Sequence, residues 1–199
     1  MARRSPRSLW TAKLTGQSVA KDPTAAARLM VGPPSFRGTL LGVDPSLRGS
    51  GFAVLEVSGK AEEARLRHSE TLRLKTQLSM HACLGEIATT MATLLEQYRP
   101  DAVVVEQTIY VQNFQTAQIL GAARGSAIGI AAMHRIPVYE YAPLRIKQAV
   151  VGFGRASKEQ VAALVRQRLK LSASLPFDEA DAAAAALCHA LTWRESVVG

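Results

Sequence analysis

The hydrophobic positions of the chain change their spacing along its length, and the first part has the pattern of strands. Three short runs, at 39–46, 51–58 and 64–74, are apolar or loosely alternating and end at turn residues, which predicts three strands. The glycines of "SLRGSG", between the first two runs, favour a hairpin-like return. We therefore expect the chain to start with an antiparallel sheet.

The rest of the chain alternates helical spacing with short apolar runs. Apolar residues recur at helical spacing over 79–98, and the β-branched run "AVVVE" at 102–106 predicts a buried strand that runs parallel to the first. A long helix, a strand, two short helices and a final alanine-rich helix are predicted at about 113–134, 137–141, 143–151, 157–170 and 175–190. This order predicts an α/β fold, with a mixed five-stranded sheet and helices on both faces.

The composition agrees with one folded domain. The chain has 199 residues, of which 48% are hydrophobic and 20% are charged, enough for a core of its own. No uncharged apolar stretch reaches the roughly 18 residues of a membrane helix, so we expect a soluble protein. Cys83 and Cys188 lie in apolar helical patterns and match no metal-ligand spacing, which favours reduced, buried thiols and a cytoplasmic location.

The positive charge is concentrated at the N-terminus. The formal net charge is +8, and residues 1–38 hold seven of the basic side chains against one acid, which leaves 17 basic and 15 acidic residues beyond them. We predict a disordered extension at 1–38 and a folded domain at 39–199. The extension has three interpretations: a basic arm that binds phosphates, a transit-like targeting segment, or upstream sequence before a true start at Met30, which we favour.

Four carboxylates are predicted to meet at one edge of the sheet. Asp44 ends the first strand and Glu106 ends the parallel strand beside it, and ligands of open α/β sheets bind off the carboxyl ends of such strands. Asp178 and Asp181 lie three residues apart at the start of the alanine-rich helix, which can pack across the same edge. Each acid alone has a simpler explanation. Asp44 can be an ordinary turn residue. Asp178 and Asp181 can be acids that the helix dipole favours near a helix N-terminus, by about 0.3–1 kcal/mol each.

Together these acids indicate metal chemistry. Carboxylates within about 4 Å of one another repel by roughly 4 kcal/mol per pair at an effective dielectric constant near 20. Divalent cations remove that repulsion, and Mg²⁺ prefers carboxylate oxygens, water and substrate phosphate. Two such ions, about 3.5–4 Å apart, activate a water and stabilise the leaving oxygen in phosphodiester hydrolysis. The residues therefore predict a metal-dependent nuclease.

Four blocks of the sequence resemble the RuvC family of Holliday-junction resolvases, in the family's order and spacing. They are "LGVDPSLRGSGFAVLEV", "VVVEQTIYVQN" followed by "AQILGAARGSAIGIAA", "YEYAPLRIKQAVVGFGRASKEQV" and "DEADAAAAALCHA". The resemblance spans about 39–193 and implies an RNase H-like fold, a homodimer, two Mg²⁺ per active site with Mn²⁺ as a substitute, and paired nicking of four-way DNA junctions. It also implies 5′-phosphate products and a branch-migration motor complex of the RuvA and RuvB type as partner.

The resemblance also assigns roles to individual residues. The family's four catalytic, metal-binding acids fall on Asp44, Glu106, Asp178 and Asp181. Its DNA-contacting basic residues fall on Lys147 and Lys158, and we expect Arg155, with Arg124 and Arg48, to extend that positive surface. For Lys158 the simpler alternative is a solvated residue in a helical first turn that Ser157 caps.

The chain departs from the family pattern at two positions. Ser46 stands where the family usually has glycine, and Ile109 stands where it tends to have an aromatic residue. Tyr110, the next residue, is the expected junction contact, and the departures put the cleavage-site preference in doubt.

The long helix carries a ridge of glycines on one face, which is unfavourable for helix stability and needs a physical reason. Gly121, Gly125 and Gly129 recur every four residues, although each costs about 1 kcal/mol against alanine in a helix. Close packing on the sheet and contact with a twofold mate both account for the ridge, and the resemblance favours the dimer. Two other functions stay open at this stage: an RNase H-like nuclease acting on RNA, and a junction-binding protein without catalysis.

Overall fold

All ten predicted elements are present, with limits close to those expected. The structure, a computed structural model, describes residues 36–59, 63–107 and 113–194. In chain order the elements are β1 (Arg37–Asp44), β2 (Gly49–Ser58), β3 (Arg65–Arg73), α1 (Met80–Tyr98), β4 (Ala102–Glu106), α2 (Phe114–Met133), β5 (Val138–Tyr141), α3 (Pro143–Val151), α4 (Lys158–Arg168) and α5 (Phe177–Thr192). The competing interpretations of the N-terminal extension, including a start at Met30, fall outside the described residues.

The five strands form one sheet in the order β3-β2-β1-β4-β5. β1, β2 and β3 pair antiparallel, whereas β1 with β4 and β4 with β5 pair parallel. The predicted mixed sheet is therefore confirmed. In the parallel pair, Val43 lies opposite Val105, so Asp44 and Glu106, the next residues, leave the sheet at the same edge.

Helices cover both faces of the sheet, as predicted. Successive strand residues point to opposite faces, and Val43 and Val105 belong to the apolar cluster that β1 and β4 share with α1 and α2. Leu40 and Val104 belong to the other cluster, which contains buried residues of α3, α4 and α5. By this alternation the carboxylates that follow Val43 and Val105 project on the side of α3, α4 and α5.

α5 lies unusually close to β1 and β2, because two glycines make room for it. A Cβ added at Gly42 would lie 2.0 Å from the carbonyl oxygen of Ala182, and one added at Gly51 would lie 1.9 Å from the carbonyl oxygen of Asp178. The alanines of this helix, from Ala182 to Ala186, are fully buried. The sequence predicted only that Gly51 favours the hairpin return. In the structure Gly51 lies within β2, and its missing side chain allows the first turn of α5 to pack directly on the strand.

The ends of the described domain meet around a buried histidine. Phe36, just before β1, is buried, and its ring stacks edge-on against His189 of α5 and against Trp193. β1 begins at Arg37, two residues before the expected strand. Cys83 and Cys188 are buried free thiols, as expected. Within the described ranges no helix is both long and apolar enough to cross a membrane.

Candidate active site

Three of the four predicted acids line one cleft at the carboxyl edge of β1 and β4. Asp44, Glu106 and Asp181 share this space of about 180 Å³. The other lining residues are two lysines and three apolar side chains: Lys147, Lys158, Pro143, Ile146 and Val161. Acids from two strands and one helix thus face basic residues of α3 and α4 across a small, partly apolar space.

Asp178 lies at the border of this cleft. It is not one of the residues that line the cleft. A Cβ added at Gly49 would lie 3.6 Å from the Oδ2 atom of Asp178, so this carboxylate lies beside the turn that follows Asp44. Its charge contributes to raising the pKa of Asp44. The fourth acid is therefore close enough to act on Asp44 and Asp181, without facing the same space.

The simpler explanations for these acids fit the structure only in part. The turn after Asp44 is held by two serines: the Ser46 amide donates to Ser50 Oγ at 3.1 Å, and the Ser50 hydroxyl donates back to the Ser46 carbonyl. α5 begins after Pro176, and no side chain caps its N-terminus. The Ser46 hydroxyl also accepts from the Gly49 amide at 3.3 Å, so Ser46 has a role of its own in the turn. Neither Asp178 nor Asp181 is a helix cap, although Asp178 lies in the first turn, where the helix dipole favours an acid.

The acids of the cleft are hard to ionise together. Burial, with the charges of Asp181 and Asp178, raises the pKa of Asp44 to about 7. Burial and then the charge of Asp44 raise the pKa of Glu106 to about 7. Burial also raises the pKa of Asp181, although Lys158 opposes it. At Asp181, desolvation therefore outweighs the effect of the nearby ammonium group.

Lys158 is bound into the site. Its Nζ atom lies 3.2 Å from Asp181 Oδ2, and that carboxylate is the main cause of the raised pKa of the lysine. Ser157 and Gln160 form the predicted capping box, which fixes the start of α4 immediately before Lys158. The alternative of a merely solvated first-turn lysine does not describe this ion pair. Lys147 of α3 also lines the cleft, and its charge lowers the pKa of Glu106.

The donor set fits an open magnesium site. In the part of the chain that the structure describes, no three His, Cys, Asp or Glu side chains close around a common point as a cage. Mg²⁺ does not need such a cage, because it keeps several waters and is held by one or two carboxylates together with substrate phosphate. Buried carboxylates with raised pKa values also gain most from a cation, since the cation compensates the burial of their charge and removes the repulsion between them.

The other predicted DNA contacts are less well placed in the structure. Arg155 is exposed in the segment between α3 and α4, and it does not line the cleft. Tyr110 and Ile109 lie outside the described residues.

Two arginines expected on the positive surface are engaged elsewhere. Arg124 forms an ion pair with Glu140 of β5. Arg48 donates to the Leu78 carbonyl at 2.9 Å and also to the carbonyl of Lys75. Both guanidinium groups therefore hold neighbouring elements together in this structure.

The sequence pattern missed parts of the site that depend on contacts between distant elements. Glu179 does not line the cleft, and its side chain binds β3: it accepts from Ser69 Oγ at 2.6 Å and from Thr71 Oγ1 at 3.3 Å. The apolar wall of Ile146 and Val161 was also missed. The alternating hydroxyls of β3 were the available signal for the first contact.

The glycine ridge of α2 faces away from the core. A Cβ added at Gly121, Gly125 or Gly129 would meet nothing within 4 Å. The core side of the helix is formed by other small residues, among them Ala123 and Ala127. Packing on the sheet is therefore excluded as the reason for the ridge.

Comparison with known proteins gives the same family on several counts. A family model described as "Crossover junction endodeoxyribonuclease RuvC" matches residues 40–189. The protein of that name from Halorhodospira halophila is 44% identical over 151 residues, which are 76% of this chain and 89% of that protein.

Solved structures agree with this result. Thermus thermophilus RuvC, solved in complex with a Holliday junction substrate, is 36% identical with a TM-score of 0.73, and the match covers 78% of this chain and 94% of that chain. The yeast mitochondrial Holliday junction resolvase Ydc2 is 14% identical with a TM-score of 0.56 over 90% of this chain and 88% of that chain, which shows a shared fold. The predicted RNase H-like fold class is confirmed.

Proposed function

The chain belongs to the RuvC family of crossover junction endodeoxyribonucleases, and we propose that it resolves four-way DNA junctions by paired, metal-dependent phosphodiester hydrolysis. Membership makes it a nuclease. The observation that carries the proposal is the cleft in which Asp44, Glu106 and Asp181 face Lys147 and Lys158. The relative solved with a Holliday junction substrate supports the choice of substrate.

The four acids would hold the divalent cations, Mg²⁺ or in its place Mn²⁺. Asp44 and Glu106 would supply oxygen donors from the two strand ends, and Asp178 and Asp181 from the first two turns of α5. When bound as a pair, such ions provide an activated water and neutralise charge on the leaving oxygen. The products of this hydrolysis carry 5′-phosphate and 3′-hydroxyl ends.

The lysines would hold the scissile phosphate and compensate its charge. Lys158 is paired with Asp181 at 3.2 Å, so a cation that binds this carboxylate frees the ammonium group for a phosphate oxygen. Lys147 stands on the neighbouring helix in the same cleft. Arg155, exposed beyond the cleft, and Tyr110 would contact the flanking DNA, as backbone contacts position a nuclease on its substrate.

A homodimer would present two such clefts to one junction. The open face of α2, which carries Gly121, Gly125 and Gly129, allows the close approach of a second copy of the helix. A twofold axis relates two identical sites, which suits the cutting of two equivalent strands. Family membership also leads us to propose a branch-migration motor complex of the RuvA and RuvB type as partner, and the buried free thiols favour a cytoplasmic location.

The choice of substrate is tested by offering two nucleic acids to the purified chain. A four-way DNA junction and an RNA–DNA hybrid are incubated side by side with Mg²⁺, and the products are sized on denaturing gels. We expect paired nicks in the junction and none in the hybrid. Cleavage of the hybrid alone would move the assignment to a nuclease acting on RNA, and junction binding without any Mg²⁺-dependent cleavage would make the protein a binding module.

A further inference from the structure

The start of α5, which carries Asp178 and Asp181, depends on contacts with other elements for its position. It has no side-chain cap, since the helix begins after Pro176. One contact with the sheet is the glycine approach between Gly51 and the carbonyl group of Asp178. That approach sets the height of the turn above the sheet. The other close glycine contact, of Gly42 with Ala182, lies one turn further along the helix, so the orientation of the uncapped start of α5 depends on what its own side chains contact.

Glu179 supplies the second point of contact. Its carboxylate accepts from the hydroxyls of Ser69 at 2.6 Å and Thr71 at 3.3 Å, two residues of β3 that alternate onto the same face of the sheet. Thr71 pairs with Gly51 across the β2–β3 ladder, so the hydroxyl contact and the glycine contact lie side by side beneath the turn.

We propose that Glu179 is a positioning residue: held by Ser69 and Thr71, it fixes the orientation of the uncapped start of α5 and so sets where Asp178 and Asp181 present their oxygens to a divalent cation. This inference rests on the proposed function. Residues three apart share a helix face, whereas Glu179 projects from another side of the same turn. With side-chain atoms about 5–6 Å from the helix axis, a rotation of about 10° moves them by about 1 Å. Metal ligands tolerate errors of only about 0.2 Å.

Two explanations of Glu179 are separable by experiment. If the residue acts by geometry, Glu179→Gln preserves the site, because its amide oxygen accepts from one hydroxyl and its amide nitrogen donates to the oxygen of the other. If it acts by adding negative charge near the cation, Glu179→Gln is as harmful as Glu179→Ala. Glu159, in the first turn of α4, is fully exposed and provides a control, because Glu159→Ala removes the same charge close to the cleft without touching the β3 contact.

The test measures Mn²⁺ affinity of the full chain without DNA, by the spin-resonance signal of free Mn²⁺, together with amide hydrogen exchange over 178–182. We expect Glu179→Ala, and the double variant Ser69→Ala with Thr71→Val, each to weaken Mn²⁺ binding about 10- to 100-fold. Both should speed exchange in the first turn of α5. Combining the two sets should add little, since they remove one shared contact. Glu179→Gln and Glu159→Ala should bind Mn²⁺ like the unchanged chain.

Failure of this inference is distinguishable from failure of the proposed function. If the unchanged chain binds Mn²⁺ and Glu179→Ala binds it equally well, Glu179 does not position the ligands. Equal weakening by Glu179→Gln and Glu179→Ala would also overturn the inference, in favour of charge. If Glu179→Ala does not fold, the double variant in β3 removes the same hydrogen bonds while leaving α5 unaltered. An unchanged chain without Mn²⁺ affinity would instead count against the proposed function.

Discussion

The close contact between Gly51 and α5 makes a quantitative prediction for a single methyl group. In Gly51→Ala, the new Cβ would lie 1.9 Å from the Asp178 carbonyl oxygen and 2.4 Å from its carbon. Cβ atoms in proteins keep at least 3.0 Å from such neighbours, so the first turn of α5 must retreat by roughly 1 Å or β2 must bend. Overpacking of this kind costs about 1–3 kcal/mol of folding free energy.

The functional effect should exceed the effect on stability. A misplacement of about 1 Å in a catalytic group can slow a reaction about 100-fold, and here it moves Asp178 and Asp181 relative to Asp44. We therefore expect Gly51→Ala to lower the single-turnover rate of junction cleavage about 100-fold, while junction affinity stays close to that of the unchanged chain. Cleavage is followed on gels, affinity by electrophoretic shift in Ca²⁺, and stability by urea unfolding.

Gly85→Ala is the matched control. Gly85 lies in the exposed part of α1, where an added Cβ meets nothing within 4 Å, so alanine should stabilise the protein by up to about 1 kcal/mol and leave cleavage unchanged. If Gly51→Ala cleaves at the rate of the unchanged chain while remaining folded, the acids do not depend on this seating of α5. Equal losses of cleavage and junction binding would point to general unfolding instead.

Three further predictions concern pH, the lysine and the dimer. Asp44 and Glu106 have pKa values of about 7 without a cation, so protons compete with Mg²⁺ below pH 7. The Mg²⁺ concentration that half-saturates cleavage should therefore rise as the pH is lowered from 8 to 6. A concentration that does not change with pH would argue against these ligands. The same raised pKa values mean that the folded state holds more protons than the unfolded state between about pH 4 and 7, so the cation-free protein should lose stability as pH rises through 7. Lys158→Ala should slow cleavage about 100-fold and reduce the log–log salt slope of junction binding by about 0.9; an unaltered slope would mean that Lys158 contacts no phosphate. Gly125→Leu places a large side chain on the open face of α2 and should yield monomers in analytical ultracentrifugation, whereas a persistent dimer would move the interface elsewhere.

Local patterns predicted the strands and helices of this fold because each element has its own hydrophobic periodicity or ends at a residue that interrupts it. The run "AVVVE" is buried on both sides in β4, between β1 and β5, as a β-branched apolar run indicates. Strand ends were also readable, which is why Asp44 and Glu106 could be placed at one sheet edge. That they lie on the same face follows from the register of Val43 with Val105.

Contacts between distant elements could not be read from local patterns. The bond between Glu179 and Ser69 joins residues 110 positions apart, and nothing near either residue indicates it. The pair of Lys158 with Asp181 depends likewise on how α4 packs on α5. The ridge at Gly125 left two explanations open, because packing on a sheet and packing on a partner favour the same small residues. The direction in which the ridge faces excludes packing on the sheet.

Cleavage of a four-way junction by the unchanged chain and by Asp44→Asn, with binding measured in parallel, tests the central claim most directly. Asn keeps the size of the side chain but removes the charge that a cation requires. The account predicts paired, Mg²⁺-dependent nicks with 5′-phosphate ends from the unchanged chain, and junction binding without nicks from Asp44→Asn. Cleavage by Asp44→Asn at the unchanged rate, or loss of binding together with cleavage, would contradict the assignment of Asp44 to the metal site.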